Sequence, residues 1–353
     1  MATTSYGVND ALAVKLWSKK LAVEALKECW ASKFMGPNSD SLIQIKDETS
    51  KSAGDKVTYG LRMQLTGAGV QGDGTLEGNE ESLVTYSDAV LINQLRHASR
   101  SAGRMSQQRV PFSVRDEALS GLRDWFADRF DTSFFNQICG YTPQTSTVYT
   151  GNNATISVDS SHQKFVTGST DEGLGSTNLF TLTMIDKAVE AAKTLSPAIR
   201  PLRTGGKQLY VAFLHPYQVT DVRTSTSTGQ WLDIQKAAMT GGEIDDNPIF
   251  DGSLGVYNGV LLHSDTRVTQ GVNSSTSTTA VTTVRRAVFA GAQAVMMAYG
   301  RDNGPNRFTW VEELFDYENE LGVSAGSIFG MKKTTFNSAD FASIVMSSYA
   351  VAH

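Results

Sequence analysis

Cysteine is nearly absent from this sequence. Cys29 and Cys139 are the only two cysteines in 353 residues, and they form no Cys-x-x-Cys pair. The count excludes a disulfide-rich secreted scaffold, and a zinc or redox motif built on paired cysteines has no counterpart here. We therefore expect two free thiols in a reducing compartment.

Long apolar runs and a large charge imbalance are also lacking. The most apolar stretch, residues 287–299, is broken by Gly291 and Gln293, whereas a membrane span needs about 18 or more consecutive apolar residues. The N-terminus has no basic region followed by an apolar run, so no signal peptide is expected. The chain carries 31 Lys and Arg against 36 Asp and Glu, a net charge of −5. This balance argues against tight nucleic-acid binding over the whole surface, and we expect no membrane association.

Two short motifs of catalytic proteins occur, but each lacks the context that its chemistry requires. Residues 67–72 match Gly-x-Gly-x-x-Gly, yet the next segment begins no helix and carries Asp73 and Glu77 where a dinucleotide phosphate would lie. Residues 322–326 place Ser324 in a Gly-x-Ser-x-Gly pattern, yet the following residues look extended and the only later histidine is His353. We interpret the first motif as a hairpin tip and the second as a tight turn between two strands.

Candidate metal ligands are poorly organised. The five histidines show no His-Glu-x-x-His spacing, and Asp245, Asp246 and Asp251 follow no regular calcium register. His215, which precedes Pro216, is expected to end a strand and begin a helix. These patterns predict a protein that is not an enzyme, with no catalytic residues, no cofactor and no metal site.

Residues 10–30 form the first periodic segment. Apolar residues recur there at near-helical spacing, and Trp17 and Trp30 add large apolar area. Gly36 and Pro37 then interrupt the pattern. A short helix cannot bury such a stripe by itself, so we expect it to lie on the body of the protein or on a neighbouring subunit.

The clearest strand covers residues 57–65, where apolar residues occupy every odd position. Residues 67–80 form a loop with five glycines and the acids Asp73, Glu77 and Glu80, and residues 83–95 read as a returning antiparallel strand. A two-stranded ribbon is marginal alone in water, and so long a loop is uncommon unless it is functional. We predict that this hairpin reaches over another chain.

Five arginines follow the hairpin in a segment without acidic residues. No Asp or Glu occurs from residue 89 to residue 115, which contains Arg96, Arg100, Arg104, Arg109 and Arg115. The spacing of four keeps the first three on one face of either a strand or a helix. Three interpretations remain open: a solvated face with scattered ion pairs, a docking surface for an acidic loop of a neighbouring subunit, and a contact with packaged DNA.

The rest of the chain mixes helices and strands, which predicts an α+β fold. Ser113 and Asp116 resemble a capping box that opens a long helix ending before Gly140. Residues 141–178 read as irregular. Further segments follow as a helix at 184–195, a buried strand at 208–214, a helix at 231–239, strands at 256–262 and 287–299 split by a loop at 268–283, and antiparallel strands from 307 onward.

Several short pieces, taken in order, resemble the podovirus-type major capsid proteins of tailed bacteriophages. The match is densest between residues 215 and 341, in His215-Pro216-x-Gln218, Asp246-Asn247-Pro248-Ile249-Phe250, Gly255-x-Tyr257-Asn258-Gly259-Val260, Gly291-Ala292-Gln293-Ala294, Trp310-x-Glu312-Glu313 and Gly326-x-Ile328-Phe329-Gly330. The resemblance implies the Hong-Kong-97-type α+β shell fold. On that basis residues 1–45 would be an N-terminal arm, 46–100 an extended β-hairpin loop, 101–179 a peripheral domain with a spine helix, 180–300 an axial domain, and 301–353 the return strands of the peripheral domain.

The same resemblance implies a major capsid subunit that assembles with itself, as pentamers and hexamers, into an icosahedral shell around double-stranded DNA. It implies a portal protein as a further partner and a location in the virion after assembly in the host cytoplasm. Only about 50 residues precede the hairpin, so the scaffolding protein is expected to be a separate chain. No lysine lies between Lys56 and Lys164, so the loop tip cannot supply a cross-link, and a decoration protein could reinforce the shell.

A shell protein of a host-encoded nanocompartment with the same fold and a serine hydrolase are the alternative functions. The residues expected to contact neighbouring subunits are Trp17, Trp30, Gly67, Gly69, Gly72, Asp73, Gly74, Glu77, Arg96, Arg100, Arg104, Asp246, Asn247 and Pro248.

Overall fold

The computed structural model describes residue 21 and residues 29–46, 54–63, 65–109, 113–204, 207–225, 255–300 and 307–353. The predicted helix at 231–239, the motif Asp246-Asn247-Pro248, Trp17 and most of the predicted first helix lie outside the described residues. No helix within the described ranges is long and apolar enough to cross a membrane.

Short strands alternate with a few helices along the described chain. The strands are β1 Met35–Gly36, β2 Ile43–Lys46, β3 Lys56–Arg62, β4 Thr85–Leu91, β5 Asn93–Arg100, β6 Gln163–Phe165, β7 Leu202–Thr204, β8 Lys207–Leu214, β9 Val256–Tyr257, β10 Val260–Ser264, β11 Gln270–Val272, β12 Ala280–Ala290, β13 Val295–Tyr299, β14 Thr309–Phe315, β15 Glu320–Lys333, β16 Thr335–Phe336, β17 Ala339–Asp340 and β18 Ser343–Tyr349. The helices are α1 Arg104–Gln108, α2 Val114–Ile138, α3 Leu182–Thr194 and α4 Pro216–Thr224, with 3-10 turns at Trp30–Phe34, Thr147–Tyr149 and Ser160–His162.

The strands form two mixed sheets. A six-stranded sheet has the order β1-β2-β13-β15-β14, with β5 also pairing β15. An eight-stranded sheet has the order β6-β18-β12-β8-β10-β9, with β11 against β12 and β7 against β8. The ribbon β3–β4 and the small pair β16–β17 stand outside both sheets.

Helix α2 joins the two sheets through its aromatic face. Phe130 meets Phe329 of β15 at a ring-centroid distance of 4.9 Å, and Phe134 meets Phe213 of β8 at 5.6 Å. All four side chains are fully buried, which places the main hydrophobic core around this helix. The predicted α+β class is therefore confirmed, with one core rather than separate ones for helix and sheets.

The predicted ends of helices are confirmed by their hydrogen bonds. The Asp116 amide donates to Ser113 Oγ at 3.4 Å at the start of α2. Gly140 follows the helix with φ of +61°, and a Cβ there would lie 2.9 Å from the Ile156 carbonyl oxygen, so glycine fits this end best. At α4, His215 Nδ1 accepts from the Tyr217 amide while the His215 amide donates to the Gln218 side chain, which forms a capping box.

Two expectations need correction. Residues 322–326 are not a tight turn, because they lie inside the 14-residue strand β15. The predicted loop at 268–283 contains β11 and the start of β12, which pair as a hairpin. Sheet pairing connects strands on both sides of the predicted boundaries at 45 and 300, since β2 and β15 both pair with β13, and β18 pairs with β12. The domain boundaries themselves stay predictions.

Candidate assembly surface

The ribbon β3–β4 is the predicted hairpin, and its ladder runs antiparallel from the pair Lys56–Leu91 to the pair Arg62–Thr85. Val57 and Tyr59 are buried, whereas Thr58 and Gly60 between them are exposed. The period-two pattern therefore predicted the strand and its inward face correctly up to residue 62, whereas Leu65 lies beyond the strand and is 52% exposed.

The base of the ribbon is packed on its own chain. Val57, Tyr59 and Val90 form a small hydrophobic cluster with Met296 and Phe336, separate from the main core. The Tyr59 and Phe336 rings meet edge to face at 5.8 Å. This part of the ribbon needs no neighbouring subunit to bury its apolar face, and the predicted reach over another chain concerns the tip.

The tip of the ribbon, defined here as residues 65–85, is exposed at every position. The Glu81 carboxylate nevertheless gives it local order, because it accepts from the Thr66 amide at 2.9 Å and from the Gly67 amide at 2.6 Å. These backbone N–H groups lower the pKa of Glu81. Gly69 and Gly72 have φ of +71° and +65°, a conformation that L side chains adopt rarely.

The tip combines negative charge with exposed apolar side chains. It contains four acids, Asp73, Glu77, Glu80 and Glu81, and no lysine or arginine. Of the 14 large hydrophobic side chains that the described residues expose, six lie between residues 65 and 91. Leu76 and Leu83 are the most open of these, at 60% and 61% exposure. Single exposed apolar side chains are normal on protein surfaces, so it is their concentration in one segment that distinguishes the tip.

The arginines after the ribbon pair mostly with their own chain. Arg100 Nε donates to Glu320 at 2.5 Å, Arg115 Nε donates to Glu312 at 2.7 Å, and Arg104 lies 3.9 Å from Glu318. The glutamates belong to β14, β15 and the turn between them. These ion pairs favour the interpretation of a solvated face for the three arginines, and the expected subunit contacts of Arg100 and Arg104 stay predictions.

Arg96 and Arg109 differ from the other three. Both are exposed, and neither forms an ion pair with any residue that the structure describes. Arg96 lies on β5 opposite Gly326 of β15, at the edge of the six-stranded sheet. These two side chains are the cations of the segment that remain available to an acidic partner.

The Trp30 side chain packs against the main hydrophobic core of its own chain. Its ring lies 5.1 Å from Phe213, 5.3 Å from His263 and 6.0 Å from Phe135. The backbone there is held by Asp131 of α2, whose carboxylate accepts from the Trp30 amide at 3.0 Å and the Ala31 amide at 2.8 Å. This geometry gives Trp30 a role in packing within its own chain, and its expected role in subunit contact stays a prediction.

Residues that catalytic motifs or metal sites would use make ordinary structural contacts in this fold. Ser324 Oγ donates to the Val311 carbonyl oxygen at 3.3 Å across the β14–β15 ladder. Burial raises the pKa of the Cys29 and Cys139 thiols, which disfavours the reactive thiolate. Among the residues described, no three His, Cys, Asp or Glu side chains come together as a metal site.

Two polar residues at the ribbon base were missed by sequence reasoning. The Asp88 carboxylate accepts from Tyr59 Oη at 2.9 Å, from the Ala89 amide at 2.7 Å and from Thr335 Oγ1 at 3.1 Å, and it also binds Lys332 Nζ. Asn153 pairs with both the amide and the carbonyl of Leu91, each at 2.9 Å. The one sequence signal was an aspartate in a strand, where this residue is disfavoured.

The described residues thus form two sheets around one long helix, with a ribbon whose tip is exposed, acidic and partly apolar. Comparison with known proteins specifies the class. The profile of the phage capsid protein family matches residues 5–352, nearly the whole sequence. The chain belongs to the phage capsid protein family.

Individual relatives agree with this assignment. The chain is 27% identical over 348 residues to the major capsid protein of Pseudomonas phage KPP25, covering 92% of this chain and 89% of that protein. It is similar to the capsid of Ralstonia phage GP4, with a TM-score of 0.77, 33% identity and 99% coverage of both chains. The capsid of cyanophage Pam1 shares the fold, with a TM-score of 0.72, 20% identity and 92% coverage of both chains.

The resemblance inferred from the sequence is thus confirmed. The protein is a structural subunit of a phage virion shell, and self-association is inherent in that role. The nanocompartment and serine-hydrolase alternatives find no support among these relatives.

Proposed function

We propose that this chain is the major capsid subunit, which assembles into an icosahedral shell around phage DNA, and that the ribbon tip forms a contact with a neighbouring copy. The exposed apolar residues of the tip carry this proposal. Leu76, Leu83 and Leu65 are each more than half exposed, and burying each on a partner would contribute about 1.5–3 kcal/mol at most. No residue within the same described chain covers them.

The charge of the tip selects the surface on which it docks. Asp73, Glu77 and Glu80 would face Arg96 and Arg109 of the adjacent copy, because those two arginines are exposed and have no ion-pair partner among the residues described. Complementary charges steer association and fix register, while the apolar side chains supply contact area. One patch meeting a different patch on the next copy is the heterologous contact that closes rings.

The remaining assignments follow from the shell role. Pentamers and hexamers of the chain would form the shell, with a separate scaffolding protein, a portal protein and a possible decoration protein as partners. Assembly would occur in the host cytoplasm, and the chain itself would perform no catalysis. A net charge of −5 suits a wall that contacts packaged DNA only loosely and non-specifically.

A charge-exchange experiment tests the tip contact. The double variant Asp73→Lys/Glu77→Lys should lose closed shells in negative-stain microscopy and sedimentation, because like charges would then meet. Adding Arg96→Glu/Arg109→Glu to the same chain should restore shells, since every copy would again present opposite charges.

The control is Asp40→Lys/Glu190→Lys, which changes the net charge equally at exposed positions away from the tip. Shells from the first double variant in normal yield would overturn the docking proposal. Failure of the quadruple variant to recover, with the control assembling normally, would exclude Arg96 and Arg109 as the receiving surface.

A further inference from the structure

Besides the hydrophobic cluster of Val57, Tyr59 and Val90, the ribbon has two polar contacts with the body, and the first is a direct contact with its backbone. Asn153 binds the amide and carbonyl of Leu91 as an adjacent strand would. A Cβ at Gly330 would lie 2.0 Å from the Leu91 carbonyl oxygen, so β15 and the end of β4 touch with no side chain between them. This contact fixes where the ribbon joins the body and can act as a pivot.

The second point is Asp88, three residues closer to the tip, or about 10 Å along an extended strand. Its carboxylate accepts hydrogen bonds from Lys332 of β15, Thr335 of β16 and Tyr59 on the opposite strand of the ribbon. The side chains of Asp88 and Lys332 are only 14% and 16% exposed. Burial opposes ionisation, but the Lys332 ammonium and the Ala89 amide outweigh it and lower the pKa of Asp88.

Open space surrounds this second point. A cavity of about 460 Å³, lined in part by Thr58, Ala89 and Asn153, lies on one side of Asp88. A second cavity of about 500 Å³, lined in part by Ile156 and Thr335, also borders Asp88. Open space therefore flanks Asp88, while Tyr59 and Val90 on the same face of the ribbon pack against Phe336 and Met296.

We propose that Asp88 is the positioning residue of the ribbon: by binding Lys332 and Thr335 it fixes the angle at which the ribbon leaves the body, and so determines the size of shell that assembles. The second half of this statement rests on the proposed shell function and tip contact. The first half concerns the single subunit. A change of angle at Asp88 is carried outward to the tip, where the contact with the next copy would be made.

The test uses Asp88→Asn, which keeps the shape of the side chain but removes its charge, and Lys332→Met. Hydrogen exchange of the unassembled subunit should rise at least tenfold in β3 and β4 and stay unchanged in α2 and β12. Shells assembled from these variants should show several diameters by electron microscopy, where the unmodified protein shows one. Two controls are Glu320→Gln, which removes an exposed ion pair of β15, and Val288→Ala, which lowers stability in the other sheet.

The outcomes distinguish the claim about the ribbon angle in the single subunit from the claim about the size of the shell. Unchanged exchange in the ribbon, or a single normal diameter from Asp88→Asn shells, overturns the proposal. Mixed diameters from Val288→Ala would also overturn it, because general destabilisation would then suffice. If exchange in the variants is faster but even the unmodified chain forms no shell, the result contradicts the proposed shell function. The positioning role of Asp88 within the single subunit would then still stand. If Asp88→Asn does not fold, Tyr59→Phe and Thr335→Val each remove one bond and decide the question by the same two measurements.

Discussion

At the scale of single residues, the buried ion pair between Lys333 and Asp340 gives the first prediction. Lys333 Nζ lies 2.7 Å from Asp340 Oδ1, and the two side chains are 0% and 2% exposed. Lys333→Met leaves a buried carboxylate without its cation and should lower the free energy of unfolding by about 3–5 kcal/mol.

Lys333→Met/Asp340→Asn should recover most of that loss, because neither charge is then buried. Urea unfolding of the unassembled subunit measures both values. A double variant no more stable than Lys333→Met would show that the pair acts through packing and not through charge.

Asp221 gives a prediction in which removing a buried charge raises the free energy of unfolding instead of lowering it. It is 3% exposed, and neither carboxylate oxygen accepts a hydrogen bond from the described residues, although His353 Nε2 lies 3.3 Å from Oδ1. Burial raises its pKa to about 6, above the value of about 3.9 expected in the unfolded chain. The folded state therefore binds the proton more tightly, and its stability falls as the pH rises through about 6.

Asp221→Asn should remove this loss. The variant should be more stable than the unmodified chain by about 1–2 kcal/mol at pH 8 and by only about a third of that at pH 4.5, where the folded-state carboxyl is still protonated. Urea unfolding of the unassembled subunit at the two pH values checks this. An equal difference at both would mean that Asp221 titrates at its ordinary pKa.

At the scale of elements, local patterns predicted what local forces determine. The alternation of residues 57–65 predicted β3, and capping residues at Ser113 and His215 predicted where α2 and α4 begin, because each signal is carried within a few positions. The Gly-rich tip was likewise recognisable from its turn residues.

Long-range contacts could not be predicted in the same way. Lys332 and Asp88 are 244 positions apart, and Asn153 reaches Leu91 across 62. The Gly-x-Ser-x-Gly stretch looks like a turn by composition, yet pairing with β14 on one side and β5 on the other holds it extended. The packing of Trp30 on the rings of Phe213 and Phe135 could not be predicted either, because both residues are distant from it in sequence.

Removal of the ribbon tip is the prediction at this scale. Deleting residues 67–80 joins Thr66 to Glu81, two residues already in contact through the Glu81 carboxylate. Because the deleted residues are all exposed, the melting temperature should change by only a few degrees, whereas closed shells should disappear and leave monomers or capsomers.

A second variant tests the exposed apolar side chains of the tip without changing its length. Leu76→Ser/Leu83→Ser keeps the tip intact but removes its two most exposed apolar side chains, and it should reduce the yield of shells without abolishing folding. Normal particles from the deletion, seen by negative-stain microscopy, would contradict the role given to the tip.

At the scale of the whole molecule, each subunit would engage several neighbours at once, so individually weak contacts suffice for a stable shell. The base and the tip of the ribbon differ in a way that suits this requirement. Its base is buried in a cluster of its own chain, which preserves the ribbon in the free subunit, while its tip keeps apolar and acidic side chains exposed for the next copy. A preorganised ribbon lowers the entropy lost on association.

The dependence of assembly on salt tests this arrangement for the molecule as a whole. The screening length is about 10 Å at 0.1 M ionic strength and about 3 Å at 1 M, so contacts steered by the acidic tip should weaken as NaCl increases. Shell formation from purified subunits, followed by light scattering, should slow by about tenfold between 0.1 and 1 M NaCl. Asp73→Asn/Glu77→Gln should assemble slowly at both concentrations with little salt dependence, because the charges that steer encounter are gone. If the unmodified chain and this neutral variant respond equally to salt, apolar burial alone drives the contact and the arginines of the neighbour take no part in it.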